Sequence, residues 1–317
     1  MKKLLIAAVT TLAFSVPTQA GWFSNYFQYT KTKHPIVLVP GIFAFDSIAG
    51  IDYWYQIPSA IESRGGQVFV PKINAFESSS ERGEELIAQL EEIKASSGGR
   101  INKFNLMGHS QGGMTSRYVM SVRPDLIASV TTMATPHTGS PVADIATTLA
   151  PEGTGQASLF ASVGNAIGNL VNLLSNNNAS ESDLYSMLSE FNEAGSDDFN
   201  SRYPLGLPTQ SCGAGASSVS VNGHNIKLFS WGGVSPVTNV LDPSDLLFAT
   251  TSLAFTGTAN DGVTGKCANH FGRVLRDNYR MNHIDINNHV LGLVSIFDTN
   301  PKTVFKNHAN RLKNMGL

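Results

Sequence analysis

The pentapeptide Gly108-His109-Ser110-Gln111-Gly112 constrains this chain more than any other feature. It follows Phe104-Asn105-Leu106-Met107, which reads as a short buried strand, and precedes a helical run from Gly113 to about Val122. Gly-x-Ser-x-Gly at a strand-to-helix junction is a nucleophile elbow. The turn is so tight that only glycine at the flanking positions lets strand, serine and helix come close. The helix N-terminus then aims its free amides at any anion forming beside the serine. The bare pentapeptide arises by chance about 0.3 times in a chain of this size and composition, so the strand and helix around it carry the reading. They point to a serine nucleophile.

Residues 1–20 read as a leader outside the fold: Lys2-Lys3, an apolar run from Leu4 to Phe14, then small residues ending at Ala20. The run is too short for a stable membrane span, so export is expected rather than anchoring. Without Lys2 and Lys3 the 22 basic residues become 20 against 24 acidic ones, a net charge of −4 that gives no reason to expect nucleic-acid binding. The remaining 297 residues, 21–317, show no repeat and no Pro- or Ser-rich linker, and one catalytic domain is expected. Cys212 and Cys267 are the only cysteines, and in an exported protein a lone pair most simply forms one disulfide. The chain-entropy model assigns such a loop about 4 kcal/mol.

Apolar runs and helical patterns alternate. Ile36–Val39, Gln67–Val70, Phe104–Met107, Ser129–Met133 and Ile226–Trp231 read as strands, and Tyr53–Arg64 and Ser80–Ala95 as helices. This alternation implies an α/β fold, a mostly parallel sheet with helices on both faces and its site beyond the carboxyl ends of the strands. With the elbow, that is the α/β-hydrolase arrangement. Gly153–Ser180 carries no charged residue, and Leu159, Phe160, Val163, Ile167, Leu170, Val171, Leu173 and Leu174 recur there at near-helical spacing. A mobile lid over the site, within a region of about 141–200, is expected, with a permanently packed core helix as the bland alternative.

A serine hydroxyl needs a base, and in this fold the partners follow in the order Ser, Asp/Glu, His. His137 comes too early, His224 precedes a run that reads as a strand, and His308 sits in the basic segment Lys306–Lys313, which reads as a surface helix. His270, His283 and His289 remain open as the base. Asp261, in Asn260-Asp261-Gly262, is the leading acid, with Asp242, Asp245 and Asp277 behind it.

The chain resembles the secreted triacylglycerol lipases of the Pseudomonas and Burkholderia type over essentially its mature length. The stretches that carry the likeness include Asp52-Tyr53-Trp54, Gly108–Gly113, Ala134–Ser140, Leu241–Asp245, Asn260-Asp261-Gly262, Arg276–Tyr279, Met281-Asn282-His283 and His308–Asn314. The resemblance implies that Asp261 orients His283, that His283 activates Ser110, and that Cys212 pairs with Cys267. It implies oxyanion donors at the backbone amides of Gln111 and Ile42. The family commonly has His-Gly ahead of the second donor, whereas Pro40-Gly41-Ile42 stands here; position 40 is not the donor. It further implies one structural Ca²⁺ held by Asp242, Asp285 and the carbonyls of His289 and Leu293. The family usually has Gln at the position of His289, and a carbonyl role tolerates the change. A zinc site through His283 and His289 would take His283 away from its role as base.

The expected function is therefore hydrolysis of triacylglycerols at a lipid–water interface through an acyl-enzyme, by a secreted monomer that reaches the medium via the periplasm with the help of a membrane-anchored foldase. A carboxylesterase for short soluble esters is the alternative in the same fold. A lipid-binding protein without turnover is the alternative in another class.

Overall fold

The computed structural model describes residues 26–42, 52–147 and 187–317, together with Asn165. The leader and the apolar stretch Gly153–Ser180, apart from Asn165, lie outside the described residues. Strand β1, Ile36–Val39, is buried at every position, as an apolar β-branched run in a sheet covered on both faces must be. Helix α1, Ile57–Glu62, is shorter than the Tyr53–Arg64 run suggests. Gln56 sits at φ 58° ahead of it, and Pro58 lies in its first turn, where a missing N–H costs nothing. Strand β2, Val68–Phe69, then pairs with β1 in parallel. Helix α2, Ser79–Ser96, opens with Ser78 and Glu81 in a reciprocal capping box and buries Leu86, Ile87 and Leu90.

The chain next returns to the other edge of β1 as strand β3, Phe104–His109, with Val39 opposite Gly108. Sheet order thus reverses between β1 and β3, and the ends of these two strands flank the crevice such a reversal opens. Helix α3, Gln111–Val122, follows the elbow, and strand β4, Ile127–Met133, pairs with β3. Helices α4, Pro141–Thr147, and α5, Glu193–Arg202, bound the described ends of the expected lid region. Both are tied into the body: Val142, Ala143, Met187, Phe191 and Phe199 belong to the same buried cluster as Trp54 and Trp231.

Strand β5, Ser218–Val221, pairs antiparallel with strand β6, His224–Gly233, which lies in parallel beside β4. Helix α6, Ser244–Thr251, leads to strand β7, Arg273–Tyr279. The β5 and β7 registers run along successive halves of one β6 edge, and both strands escape a search for apolar runs because their burial is only partial. The sheet order among the described residues is β2-β1-β3-β4-β6-β5, with β7 also on β6. The fold is the α/β, mostly parallel arrangement expected.

The terminal helix α7, Pro301–Asn314, corrects the surface reading of His308. Val304, Phe305, His308, Ala309 and Leu312 form its buried stripe, and the His308 ring meets the Thr131 hydroxyl of β4 at 2.8 Å. Burial and the neighbouring Arg311 push the His308 imidazole down to about 3, so it is neutral.

Gly112 is where this architecture is tightest: a Cβ there would lie 2.2 Å from the Val39 carbonyl oxygen and 2.7 Å from that of Pro40. Gly→Ala in a free helix is stabilising by about 1 kcal/mol. Here we expect Gly112→Ala to destabilise the fold by about 2 kcal/mol or more, through forced separation of α3 from β1. A urea midpoint equal to or above that of the unaltered protein would contradict this packing.

Candidate active site

Three glycines let the elbow close. A Cβ at Gly108 would meet the Gly112 carbonyl oxygen at 2.2 Å, and one at Gly113 would meet the Thr135 Oγ1 at 2.0 Å; Gly112 completes the set. Ser110 itself is held at φ 55°, ψ −128°, a conformation that non-glycine residues adopt only under constraint. The constraint is visible: the Ser110 N–H donates to the Met133 carbonyl at 2.9 Å, and the Ser110 carbonyl accepts from Gly113 N–H at 3.0 Å and from the Thr135 hydroxyl at 2.9 Å. The side chain is thereby turned out beyond the strand end, at the N-terminus of α3.

Asp261 lies in a small turn closed by a bridge between Asn260 and Gly265. Asn260 Oδ1 accepts from Gly262 N–H at 2.9 Å, and Gly262 takes φ 97°. Asp261 Oδ1 accepts two backbone amides, Val263 at 2.9 Å and Thr264 at 2.6 Å, so this oxygen is fixed. Oδ2 is left for His283, 3.0 Å from its Nδ1. A carboxylate only accepts, so Nδ1 carries the hydrogen and Nε2 is free to accept. Nε2 lies 3.0 Å from Ser110 Oγ. The three side chains are buried, so each interaction acts in a low-dielectric surrounding.

His283 is held by its neighbours as well. Its N–H donates to the Asp261 carbonyl at 2.9 Å. Asn282 Oδ1 accepts from the amides of Ile284 and Asp285, and its Nδ2 donates to Asp245 Oδ1 at 2.9 Å. Asp245, a runner-up acid in the sequence, therefore holds the histidine turn rather than a histidine. The other candidates fall elsewhere. His270 pairs with Asp277 at 3.0 Å, but its other nitrogen faces the Gly213 carbonyl and no hydroxyl. His137 is buried between the Arg117 guanidinium and the Thr132 hydroxyl. Among the described residues both ring nitrogens of His289 lack hydrogen-bond partners, and burial keeps that ring neutral, down to about 4.

The loop after β1 lies against the serine. A Cβ on Gly41 would stand 2.7 Å from the Ser110 Cβ, so residue 41 has no room for a side chain and the chain runs past the nucleophile towards Ile42. Pro40, the departure from the family pattern, contributes its carbonyl instead, which accepts from the buried Arg82 Nη2 at 2.6 Å. The sequence gives no reason to single out Arg82; its burial pushes the guanidinium down to about 10, so it remains charged at neutral pH.

Asp242 and Asp285 lie near each other and near Asp245, all buried. Asp242 Oδ1 accepts from the Ser244 amide and hydroxyl, whereas its Oδ2 is buried without a partner among the described residues. Burial, reinforced by Asp242 and Asp245, pushes the Asp285 carboxyl up to about 8. Among the described residues no group of three or more His, Cys, Asp or Glu side chains is placed to hold a metal ion. Cys212 and Cys267 are bonded to each other.

Comparison with known proteins agrees with the fold. Residues 34–285 match the family described as alpha/beta hydrolase fold. Over its whole length the chain is 43% identical to the whole of a triacylglycerol lipase of Vibrio cholerae. Over 91% of its length it is 36% identical to one of Burkholderia plantarii, of which 88% is covered. Over 90% it is 33% identical to one of Pseudomonas fragi, 98% covered. The solved Bacillus licheniformis lipase BlEst2, in its mature form, superposes with a TM-score of 0.59 at 17% identity over 89% of this chain and 93% of that one, a likeness of fold.

Asp261→Asn tests the site. Asparagine can still accept from the Val263 and Thr264 amides through Oδ1, but it turns an N–H towards His283 and selects the wrong tautomer. We expect kcat to fall by about 10⁴ with the fold retained. Activity within tenfold of the unaltered protein would remove Asp261 from the site.

Proposed function

This chain belongs to the α/β-hydrolase family and is a lipase within it, and on that premise we propose that Ser110, His283 and Asp261 cleave triacylglycerol esters at lipid–water interfaces. The observation that carries the reading is the unbroken line Asp261–His283–Ser110, with two 3.0 Å contacts and the serine at a helix N-terminus. His283 Nε2 takes the Ser110 proton as Oγ attacks the ester carbonyl, and Asp261 stabilises the imidazolium that forms. The proton then passes to the leaving alcohol, and water releases the acyl group by the same steps. The amide of Gln111, in the first turn of α3, has no carbonyl one turn back to donate to and faces the new oxyanion. The Ile42 amide is the second donor. Losing either donor costs roughly 3 kcal/mol of barrier.

Apolar side chains on the loops beside His283 favour an interfacial substrate. Val240 is 97% and Ile296 84% exposed, and Leu241 and Phe297 are exposed with them. Asn239 Nδ2 reaches the Val294 carbonyl at 3.3 Å, so the two loops that carry them are joined. Such a surface suits lipid better than water. The residues 148–186 between α4 and α5 include the charge-free stretch, which would serve as a lid. The reading includes export through the Met1–Ala20 leader, assembly with a foldase in the periplasm, and action as a monomer outside the cell.

A single structural Ca²⁺ fits the Asp242 and Asp285 pair. The unpartnered Asp242 Oδ2 and the raised Asp285 carboxyl both call for a positive charge among oxygen ligands. The carbonyls of His289 and Leu293 would complete the set, and the ion would tie the His283 loop to the segment around Asp242.

Two outcomes are expected. Hydrolysis of a short triacylglycerol should accelerate as its solubility limit is passed, with turnover of an emulsified long-chain one and none by Ser110→Ala; saturation below the limit without long-chain turnover would make this a carboxylesterase. The enzyme is best produced with and without a foldase from a relative, since equal active yield would remove the chaperone from the reading. The second outcome concerns calcium. A carboxyl raised to about 8 from an unfolded value near 3.9 makes the metal-free fold lose stability as pH rises through that window. A bound cation reverses this, so the melting-temperature gain from added Ca²⁺ should grow between about pH 5 and pH 8. A gain independent of pH, or none, would dismiss the site.

A further inference from the structure

Three side-chain and backbone contacts join the two halves of the catalytic apparatus through residues that neither half uses. The Gly41 N–H donates to the Tyr53 hydroxyl at 2.8 Å. That hydroxyl lies 2.5 Å from His109 Nδ1, and His109 Nε2 lies 2.8 Å from the His283 carbonyl oxygen. The segments involved are the loop after β1, the turn before α1, the last residue of β3 and the loop after β7. Tyr53, His109 and His283 are all buried, so no solvent competes for these groups.

The direction of each bond is fixed by chemistry. A carbonyl oxygen only accepts, so His109 Nε2 carries a hydrogen. The ring is neutral, because burial and the adjacent His283 hold the His109 imidazole well below its ordinary range. Nδ1 therefore accepts, the Tyr53 O–H donates to it, and the Tyr53 oxygen takes the Gly41 N–H on a lone pair. Donation runs one way, from Gly41 to His283, and every group is used.

We propose that Tyr53 and His109 are positioning residues, a hydrogen-bonded strut that holds the oxyanion-hole loop at Gly41-Ile42 in register with the general base His283. The proposal rests on the Ser110–His283–Asp261 assignment above. One end of the strut fixes the residue that precedes an oxyanion donor and packs on Ser110; the other fixes the main chain of the base. Neither Tyr53 nor His109 has to touch the substrate for this. Cutting the strut frees the loop and the base to drift independently, and drift of about 1 Å can cost 10²-fold in rate. Loss is expected in kcat, because the geometry concerned is that of the transition state.

The test compares Tyr53→Phe, His109→Gln and His109→Leu on a soluble short-chain p-nitrophenyl ester below its solubility limit. Affinity for an alkylboronic acid, which forms a tetrahedral adduct on the serine, is measured on the same preparations. Tyr53→Phe should lower kcat about 10- to 100-fold with KM changed less than threefold, and should weaken boronate binding in the same proportion. His109→Gln keeps an N–H donor where Nε2 stands, and with it the hold on the base, but loses the Nδ1 acceptor, so it should recover part of the rate, whereas His109→Leu should lose as much as Tyr53→Phe. Unchanged kcat in Tyr53→Phe, or a change confined to KM, overturns the strut. So does a Gln variant no better than Leu at equal melting temperature, and this pair decides the matter if Tyr53→Phe does not fold. Wild-type turnover by Ser110→Ala would be a different failure, that of the triad itself.

Discussion

The carbonyl oxygens of Val39 and Pro40 occupy the space where a side chain at position 112 would begin, so the first turn of α3 rests on the end of β1 backbone to backbone. Every other placement in the site follows from that contact. It brings the serine to the reversal point of the sheet, where the ends of β1 and β3 are adjacent. It sets Gly41 against the Ser110 Cβ, and it puts the Pro40 carbonyl within reach of Arg82. His283 comes from 173 residues further along, yet it meets the Ser110 hydroxyl at 3.0 Å because its loop is bonded to the same small volume.

That volume is polar, and its polar groups are nearly all engaged. Asp261 uses one oxygen for the backbone and the other for His283; Asn282 spends its amide on Asp245 and its oxygen on the turn that follows. Satisfied networks of this kind rigidify a site, because each alternative arrangement would leave a buried group without a partner. Of the nine exceptions among the described residues five lie together, with Asp242 Oδ2, Asn287 Oδ1, Asn288 Oδ1 and both His289 nitrogens in the segments around the carboxylate pair. The proposed cation would compensate the carboxylates, the two groups there with the greatest need of a counter-charge.

The central sheet was legible because β1, β3 and β4 are buried on both faces and therefore spelled largely in apolar letters. The elbow was legible because its glycines are required by contact. Strand β7, Arg-Val-Leu-Arg-Asp-Asn-Tyr, was not, since a partly exposed strand next to a sheet edge needs no apolar run. His308 was misplaced because Lys306, Arg311 and Lys313 dominate the composition of α7, while its stripe at 304, 305, 308, 309 and 312 is what packs. The acid and base could be narrowed by chain order but not separated from their rivals by spacing; the resemblance chose Asp261 and His283, and the geometry joins the two. Tyr53 and His109 carried no signal of their contact, because residues 56 apart in sequence declare a hydrogen bond only when folded.

The backbone angle at Ser110 limits which nucleophiles this scaffold can carry. Threonine offers the same hydroxyl, and in solution the two alcohols differ little in acidity. At φ 55° a β-branched residue is strained, and the added methyl would have to share the space in which Gly41 already crowds the Ser110 Cβ. An unbranched thiol meets neither objection. The scaffold is therefore open to exchange of oxygen for sulfur at this position and closed to the addition of one carbon.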